Sequence, residues 1–361
     1  MLLKDFKGKK IPMLGMGCMR LPLIPDSEGV IDESAVANMV HYAMEHGVNY
    51  FDTAWGYHSG NSELVMGRVL SKYPRESYFL ATKLPGFSPE NIQNYKQIFH
   101  KQLEKCQTEY FDFYLLHNVA EKNIGDFMDP QIGIMDFLLE QKKQGKIRHL
   151  GFSTHGSLAT MRRFLEAYGK DLEFCQIQLN YLDWKLQNAK AKVELLKEYG
   201  IPVWVMEPVR GGRLVDLDET SLAKLNALRP GVSTPEWAFR FLQSIPEVTL
   251  ILSGMSNDQQ LSENIATFTD AKSLSAAEMD TLMDIADSMI QANAVPCTAC
   301  SYCVDRCPSQ LSIPELIKAY NEKIAPGEPG PANCIGCRSC ESVCPQGIMI
   351  SEIMADFAKK V

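Results

Sequence analysis

Eight of the chain's 11 cysteines fall in two copies of one run, Cys297-x-x-Cys300-x-x-Cys303-x-x-x-Cys307-Pro308 and Cys334-x-x-Cys337-x-x-Cys340-x-x-x-Cys344-Pro345. No other feature constrains the fold as tightly. Thiols at i, i+3 and i+6 can wrap three corners of an iron–sulfur cubane, while the fourth, turned away by its proline, reaches the neighbouring cluster. The spacing therefore predicts two [4Fe–4S] clusters, one on Cys297, Cys300, Cys303 and Cys344, the other on Cys334, Cys337, Cys340 and Cys307. Zinc is the weaker alternative, because a tetrahedral site needs two Cys-x-x-Cys pairs, not triplets with a trailing Cys-Pro. Between the runs a short helix is expected near Ile313–Asn321, and a turn over Pro326–Pro331. Cys18, Cys106 and Cys175 match no ligand pattern and read as packing thiols.

Residues 286–361 form this cysteine-rich unit and residues 1–285 a larger one. Through the larger unit, β-branched or aromatic runs alternate with helical patterns: Met13–Gly17, Val48–Asp52, Tyr78–Lys83, Phe113–His117, Leu150–Ser153, Phe174–Gln178, Pro202–Met206 and Leu250–Ser253. Such alternation implies a parallel sheet. Eight strands at roughly 30-residue spacing predict an α/β fold of the (β/α)₈ barrel type. A doubly wound sheet would carry Gly-x-Gly-x-x-Gly after its first strand, and Gly15-Met16-Gly17 lacks the third glycine. Helix starts are expected at Asp32, at Ser88-Pro89-Glu90 and at the capping-box pattern Ser233-Thr234-Pro235-Glu236, with a stop at Gly47. A small hairpin turning around Lys7–Lys9 should precede the barrel.

Composition removes several function classes. Lys plus Arg number 36 against 44 Asp plus Glu, a formal charge of −8, with no basic stripe to neutralise a phosphate backbone, so nucleic acid is not an expected partner. No run approaches the roughly 18 apolar residues of a membrane span. The N-terminus, Met1 to Lys7, becomes charged too soon for a signal peptide, and a cytoplasmic location is expected. Clustered thiols in that compartment point to metal ligation, not disulfides.

Barrel chemistry gathers at the C-terminal ends of strands. Those ends carry Asp52, Lys83, His117, Ser153, Gln178 and Asn180. Lys83 closes an apolar strand, where a buried ammonium must pair or lose its proton, and Asp52 is the expected partner. A lysine cation lowers a neighbouring phenol's pKa, so Tyr57, on the loop after Asp52, would donate a proton to a developing alkoxide. His117 would share that transfer or bind the substrate oxygen. Trp55, Tyr181 and Trp184 are expected at an apolar mouth, and His58, His149 and His155 at the surface or behind the site.

At Phe51-Asp52-Thr53-Ala54-Trp55-Gly56-Tyr57-His58-Ser59-Gly60-Asn61-Ser62-Glu63 the chain resembles the aldo/keto reductases, a likeness that covers about residues 1–290. The resemblance implies a catalytic tetrad of Asp52, Tyr57, Lys83 and His117. It also implies reversible reduction of a small carbonyl compound, or oxidation of the alcohol, by hydride transfer with NAD(P)H and with Tyr57 as acid. By the same resemblance Ser153, Gln178 and Asn180 hold the nicotinamide carboxamide, Met206 and Pro208 follow the seventh strand, and Gly211 and Gly212 lie in a phosphate loop. Gly254, Ser256, Gln260 and Asn264 follow the eighth strand. Met206 stands where many members stack an aromatic ring, and Ser253–Gln260 offers no base for a 2′-phosphate, which favours NAD or another phosphate-bearing cofactor. The C-terminal segment resembles a small α+β bacterial ferredoxin domain with two clusters, for which an electron-transfer protein is a natural partner.

Nicotinamide passes two electrons together and a cluster passes one, so coupling the two needs a carrier capable of both, such as a flavin. An alternative function follows: FMN in the barrel, exchanging electrons between a substrate and ferredoxin-type partners through the clusters. The plainer expectation is a nicotinamide-linked reductase whose clusters lie beside the reaction.

Overall fold

The computed structural model describes every residue except Glu28 and Asn293. The chain opens with a hairpin of β1 (Leu3–Phe6) and β2 (Lys9–Pro12). Lys7 and Gly8 both take positive φ, 50° and 79°, as a two-residue turn matched to strand twist requires. The hairpin buries Phe6 and Ile11 against Tyr50, Phe113, Phe174 and Trp204, which closes the bottom of the barrel with aromatic rings.

Eight parallel strands follow: β3 (Leu14–Gly17), β4 (Tyr50–Asp52), β5 (Phe79–Leu84), β6 (Phe111–Leu116), β7 (Ile147–Thr154), β8 (Cys175–Gln178), β9 (Val203–Met206) and β10 (Val248–Ser253). They close in the order β10-β3-β4-β5-β6-β7-β8-β9. Each overlaps the run expected to form it. Asp32 caps the helix Glu33–Glu45 and Ser88 caps Pro89–Gln93, as the sequence indicates. Only half of the expected capping box forms at Ser233, whose hydroxyl accepts from Glu236 N. The Glu236 carboxylate pairs instead with buried Arg240, one turn on, because a guanidinium taken out of water needs a counter-charge more than the Ser233 amide needs an acceptor.

The helix Ala276–Gln291 carries a full capping box at Ser275 and Glu278, runs through position 285, and still packs on the barrel at Met289 and Ile290. Beyond it, helices Ile313–Glu322 and Ile350–Ala358 share a separate small core of Leu311, Leu316, Ile317, Ile348 and Met354. The β part of the expected α+β unit is absent among its described residues. Its loops direct backbone N–H groups at thiol sulfurs and tight turns, Ala299 N to Cys297 Sγ and Leu311 N to Cys307 Sγ among them, leaving no ladder to form.

This segment sits on the barrel's C-terminal face. Fully buried Arg210 pairs with Asp183 and donates to Pro296 O at 3.3 Å, Gln346 Nε2 donates to Gln178 Oε1 at 2.8 Å, and Arg20 Nη2 donates to Thr298 O at 3.1 Å. Gly211, at φ 63°, passes so close that a Cβ there would stand 2.0 Å from Thr298 O. No helix among the described residues is long and apolar enough to cross a membrane.

Candidate active site and cluster segment

Alternation along β5 points Lys83 inward, one strand from Asp52. Its ammonium donates to Asp52 Oδ1 at 2.5 Å, to Thr53 O at 2.8 Å and to Tyr57 Oη at 3.3 Å. A second layer holds it there. Buried Glu63 accepts from Thr82 and Gln102, each at 2.7 Å, and Gln102 donates to Lys83 O. Tyr57 opens a short turn in which His58 and Ser59 both take positive φ, a cost that residues near a reacting centre often carry.

His117 follows β6, its ring edge-on to Tyr57 at 6.1 Å, with Nδ1 buried and unpartnered. Burial, with Lys83 and His155 adding to it, drives its pKa well down, so the imidazole is neutral. The sequence led to an expected lowering of the Tyr57 phenol by Lys83, whereas burial acts in the opposite direction. Burial, with the nearby Asp52 carboxylate adding to it, holds the phenol well above its ordinary range, so its proton is in place at neutral pH.

Asp52, Tyr57 and His117 border a cavity of about 690 Å³ at the barrel mouth, with Lys83 beneath. Ser153, Met206, Pro208, Gly211, Gly212, Gly254, Ser256, Gln260 and Asn264 also border it. Gln178 and Asn180 do not. Both amides donate to the buried Asp183 carboxylate at 2.7 Å, and Gln178 Oε1 is taken by Gln346, since a buried carboxylate must gather donors wherever they lie. Gln176, one inward position lower on β8, faces the cavity instead, with Oε1 buried and unpartnered. Strand period was the signal that could have found it, since positions 176 and 178 share a face.

The three aromatic residues expected at the mouth pack elsewhere. Trp55 lies under the Lys105 ammonium, and Tyr181 and Trp184 pack on Phe241 within the helical layer. Phe87 and Tyr302 supply the aromatic wall. His155, expected outside the site, lines the cavity as a neutral imidazole, its pKa pushed down to about 4 by burial and Lys192. His58 accepts from Leu21 N, and His149 pairs with Glu173. Glu207, after β9, also lines the cavity, its carboxyl raised to about 7 by burial. Beside Gly254 lies Arg20, from the loop after β3, whose Nη2 donates to Thr298 O and Ala299 O.

In the C-terminal segment one small cavity is bordered by Cys297, Cys300, Cys303 and Cys344, and a second by Cys307, Cys334, Cys337 and Cys340. These are the two sets that the spacing pairs. Among the described residues no three Cys, His, Asp or Glu side chains close on a single ion. Cys300 borders both the first of these cavities and the large one at the barrel mouth.

Residues 13–287 match the Aldo/keto reductase family, and residues 296–349 match the 4Fe-4S dicluster domain. The NADH-specific methylglyoxal reductase of Escherichia coli (strain K12) is 25% identical over 336 residues, covering 78% of this chain and 99% of that protein. The L-galactose dehydrogenase of Arabidopsis thaliana is 26% identical, over 77% of this chain and 90% of its own. Among solved structures, a thermostable aldo-keto reductase superposes at a TM-score of 0.64 with 21% identity, covering 79% of this chain and all of its own. An aldo/keto reductase from Klebsiella pneumoniae in complex with NADP and acetate does so at 0.60 with 19% identity, covering 77% of this chain and 93% of its own. An eight-stranded barrel with a buried Asp–Lys–Tyr cluster at its mouth, followed by paired cysteine cages, is thus accounted for: the chain belongs to the aldo/keto reductase family of oxidoreductases and carries a 4Fe-4S dicluster domain at its C-terminal end.

Proposed function

We propose that this chain reduces a small aldehyde or ketone, or oxidises the corresponding alcohol, with Tyr57 as the proton donor and a nicotinamide nucleotide as redox partner. The observation that carries this reading is the Lys83 ammonium within reach of Tyr57 Oη at the wall of a 690 Å³ cavity. The buried phenol keeps its proton until a carbonyl oxygen gains charge beside it, and the Lys83 cation then stabilises the phenolate left behind. Neutral His117 hydrogen-bonds and orients the carbonyl oxygen without competing for the proton.

The residues present suit a nicotinamide. Gln176 Oε1 is an unpartnered acceptor, and the Ser153 hydroxyl, which accepts from Asn118 N at 2.9 Å, still has its own proton to give, so the pair matches a primary carboxamide. Gly254, Ser256 and Asn264 line the far end of the same cavity. When bound there, the nicotinamide supplies the hydride. Ser253–Gln260 carries no base for a 2′-phosphate, and Arg20 Nη2 is turned to the cysteine segment, which favours NADH over NADPH; the NADH-specific relative supports the same choice. Tyr57→Phe should lower NADH-linked reduction of 4-nitrobenzaldehyde by at least about a hundredfold; unchanged turnover would remove the proposal.

A second reading is favoured by Cys300 alone, which separates the reaction cavity from the first cysteine cage by a single residue. That thinness supports electron exchange between cluster and cavity, for which a flavin such as FMN is the carrier able to take two electrons and release one at a time. Anaerobic NADH that bleaches the cluster absorbance only after FMN is added would support it, and no bleaching with FMN present would exclude it.

A further inference from the structure

We propose that Arg20 of the barrel sets the reduction potential of the iron–sulfur cluster held in the first cysteine cage, raising it through its charge and through the peptide group it holds against Cys297.

Four backbone carbonyls on either side of Cys297 accept from barrel arginines. Arg213 Nη1 donates to Val295 O at 3.5 Å, Arg210 Nη1 to Pro296 O at 3.3 Å, and Arg20 Nη2 to Thr298 O at 3.1 Å and to Ala299 O at 3.4 Å. The three bases come from two loops, after β3 and after β9, and meet on residues 295–299. The cage bordered by Cys297, Cys300, Cys303 and Cys344 therefore has barrel guanidinium groups gathered around one of its thiols.

Arg20 does more than supply charge. Thr298 C=O and Ala299 N–H belong to one peptide group: the oxygen accepts from Arg20, and the N–H donates to Cys297 Sγ at 3.4 Å. Ala299 takes φ 51°, in the left-handed region that a non-glycine residue adopts only when it is held there. Arg20, on the carbonyls of both Thr298 and Ala299, is the hold.

Both effects have one sign. Adding an electron makes a cluster more negative, so a nearby cation and an N–H on a ligand sulfur each favour the reduced form. Thr298 is 2% exposed, and water screens little there. Asp183 neutralises Arg210, whereas Arg20 and Arg213 form no ion pair among the described residues, so these two leave positive charge at the cage. The second cage lacks such a collar. Its neighbour Arg338 is paired with Glu352, and the barrel cation that reaches its loop, Lys122 on Glu341 O and Ser342 O, is exposed to water. Docking on the barrel thus favours an electron in the cage that shares Cys300 with the large cavity.

The test uses the full holoprotein under anaerobic conditions, without nucleotide or carbonyl compound, with iron and sulfide content showing that both clusters are in place. Dithionite in the presence of redox mediators supplies one electron to each cluster, with no bond made or broken, and electron paramagnetic resonance follows the two reductions. In Arg20→Met one reduction should become about tenfold less favourable, a fall of about 59 mV for one electron, and the other should stay where it is. Arg20→Lys, which keeps a cation, should lie nearer the wild type. Wild-type potentials for both reductions in Arg20→Met, or the same fall in both, would overturn the proposal. Should Arg20→Met lose iron, Arg213→Met, which gives up a single carbonyl contact, is read by the same criterion: a fall in one reduction supports the proposal, and no change removes it.

Discussion

Lys83 is fully buried and has Asp52 as its charged partner, so removing the cation leaves a carboxylate stranded away from water. Lys83→Met should therefore destabilise the barrel by about 3–5 kcal/mol, while Lys83→Met with Asp52→Asn should recover most of that loss and stay inactive. Urea unfolding of both proteins checks this. Glu207 tests the same environment by titration. Its ordinary pKa of 4.5 is raised to about 7 by burial, against the pull of Arg20, with Asp183 adding to the rise and Arg210 opposing it. A raised carboxyl binds its proton more tightly in the folded state, so its contribution is fully present below about pH 4.5 and is lost as pH rises through about 7. The melting temperature should thus fall from pH 5 to pH 8 more steeply in the wild type than in Glu207→Gln. An equal slope in thermal scans of the two proteins would show that Glu207 titrates normally.

At the scale of elements, the loop bearing Gly211 decides how the cysteine segment meets the barrel. A Cβ at this position would stand 2.0 Å from Thr298 O, and the backbone is left-handed, so Gly211→Ala must push the segment away. Iron content should persist, because no thiol moves relative to its own cage, while proteolysis between barrel and segment accelerates and carbonyl reduction falls at least several-fold. The N-terminal hairpin makes a second element-scale prediction. Phe6 is buried against Trp204, Phe113 and His149, and Phe6→Ala should cost about 3–5 kcal/mol in urea unfolding without changing the NADH dissociation constant, because the site lies at the opposite end of the barrel.

At the scale of the whole molecule, the large cavity at the barrel mouth is shared property. Barrel loops form most of its wall, and Cys300, Tyr302, Asp305, Arg306, Val343 and Pro345 form the rest. Removing iron with a chelator should loosen that wall and lower carbonyl reduction by NADH, even though no barrel residue binds iron. Activity that is identical before and after iron removal, with iron loss verified, would show that the wall holds without its clusters.

The eight strands, the hairpin and the cysteine pairing were legible because each is encoded locally: alternation over five or six residues, a Lys-Gly turn, thiols three apart. That Asp52, Tyr57, Lys83 and His117 would meet at one mouth was legible because strand ends in a barrel all face one way. Gln178 and Asn180 were misplaced for a reason no local pattern carries. Asp183 and Gln346, the second 168 positions away from Gln178, claim their amides, and Gln176 takes the place at the cavity. Trp55, Tyr181 and Trp184 were misplaced because an aromatic side chain near a strand end has either the mouth or the helical layer open to it, and their choice of the latter depends on neighbours such as Phe241.

The sequence by itself determined what periodicity and spacing can specify: a parallel barrel, two cubane-sized thiol sets, and an acid, a lysine, a tyrosine and a histidine on one face. Only the tertiary structure decided that the cysteine segment lies across that face, that Tyr302 and Tyr57 border one cavity, that Arg20 donates to the segment and that burial lifts the Tyr57 phenol. The physical reason is that docking and desolvation depend on surfaces brought together from distant parts of the chain, and neither leaves a period or a spacing to be read.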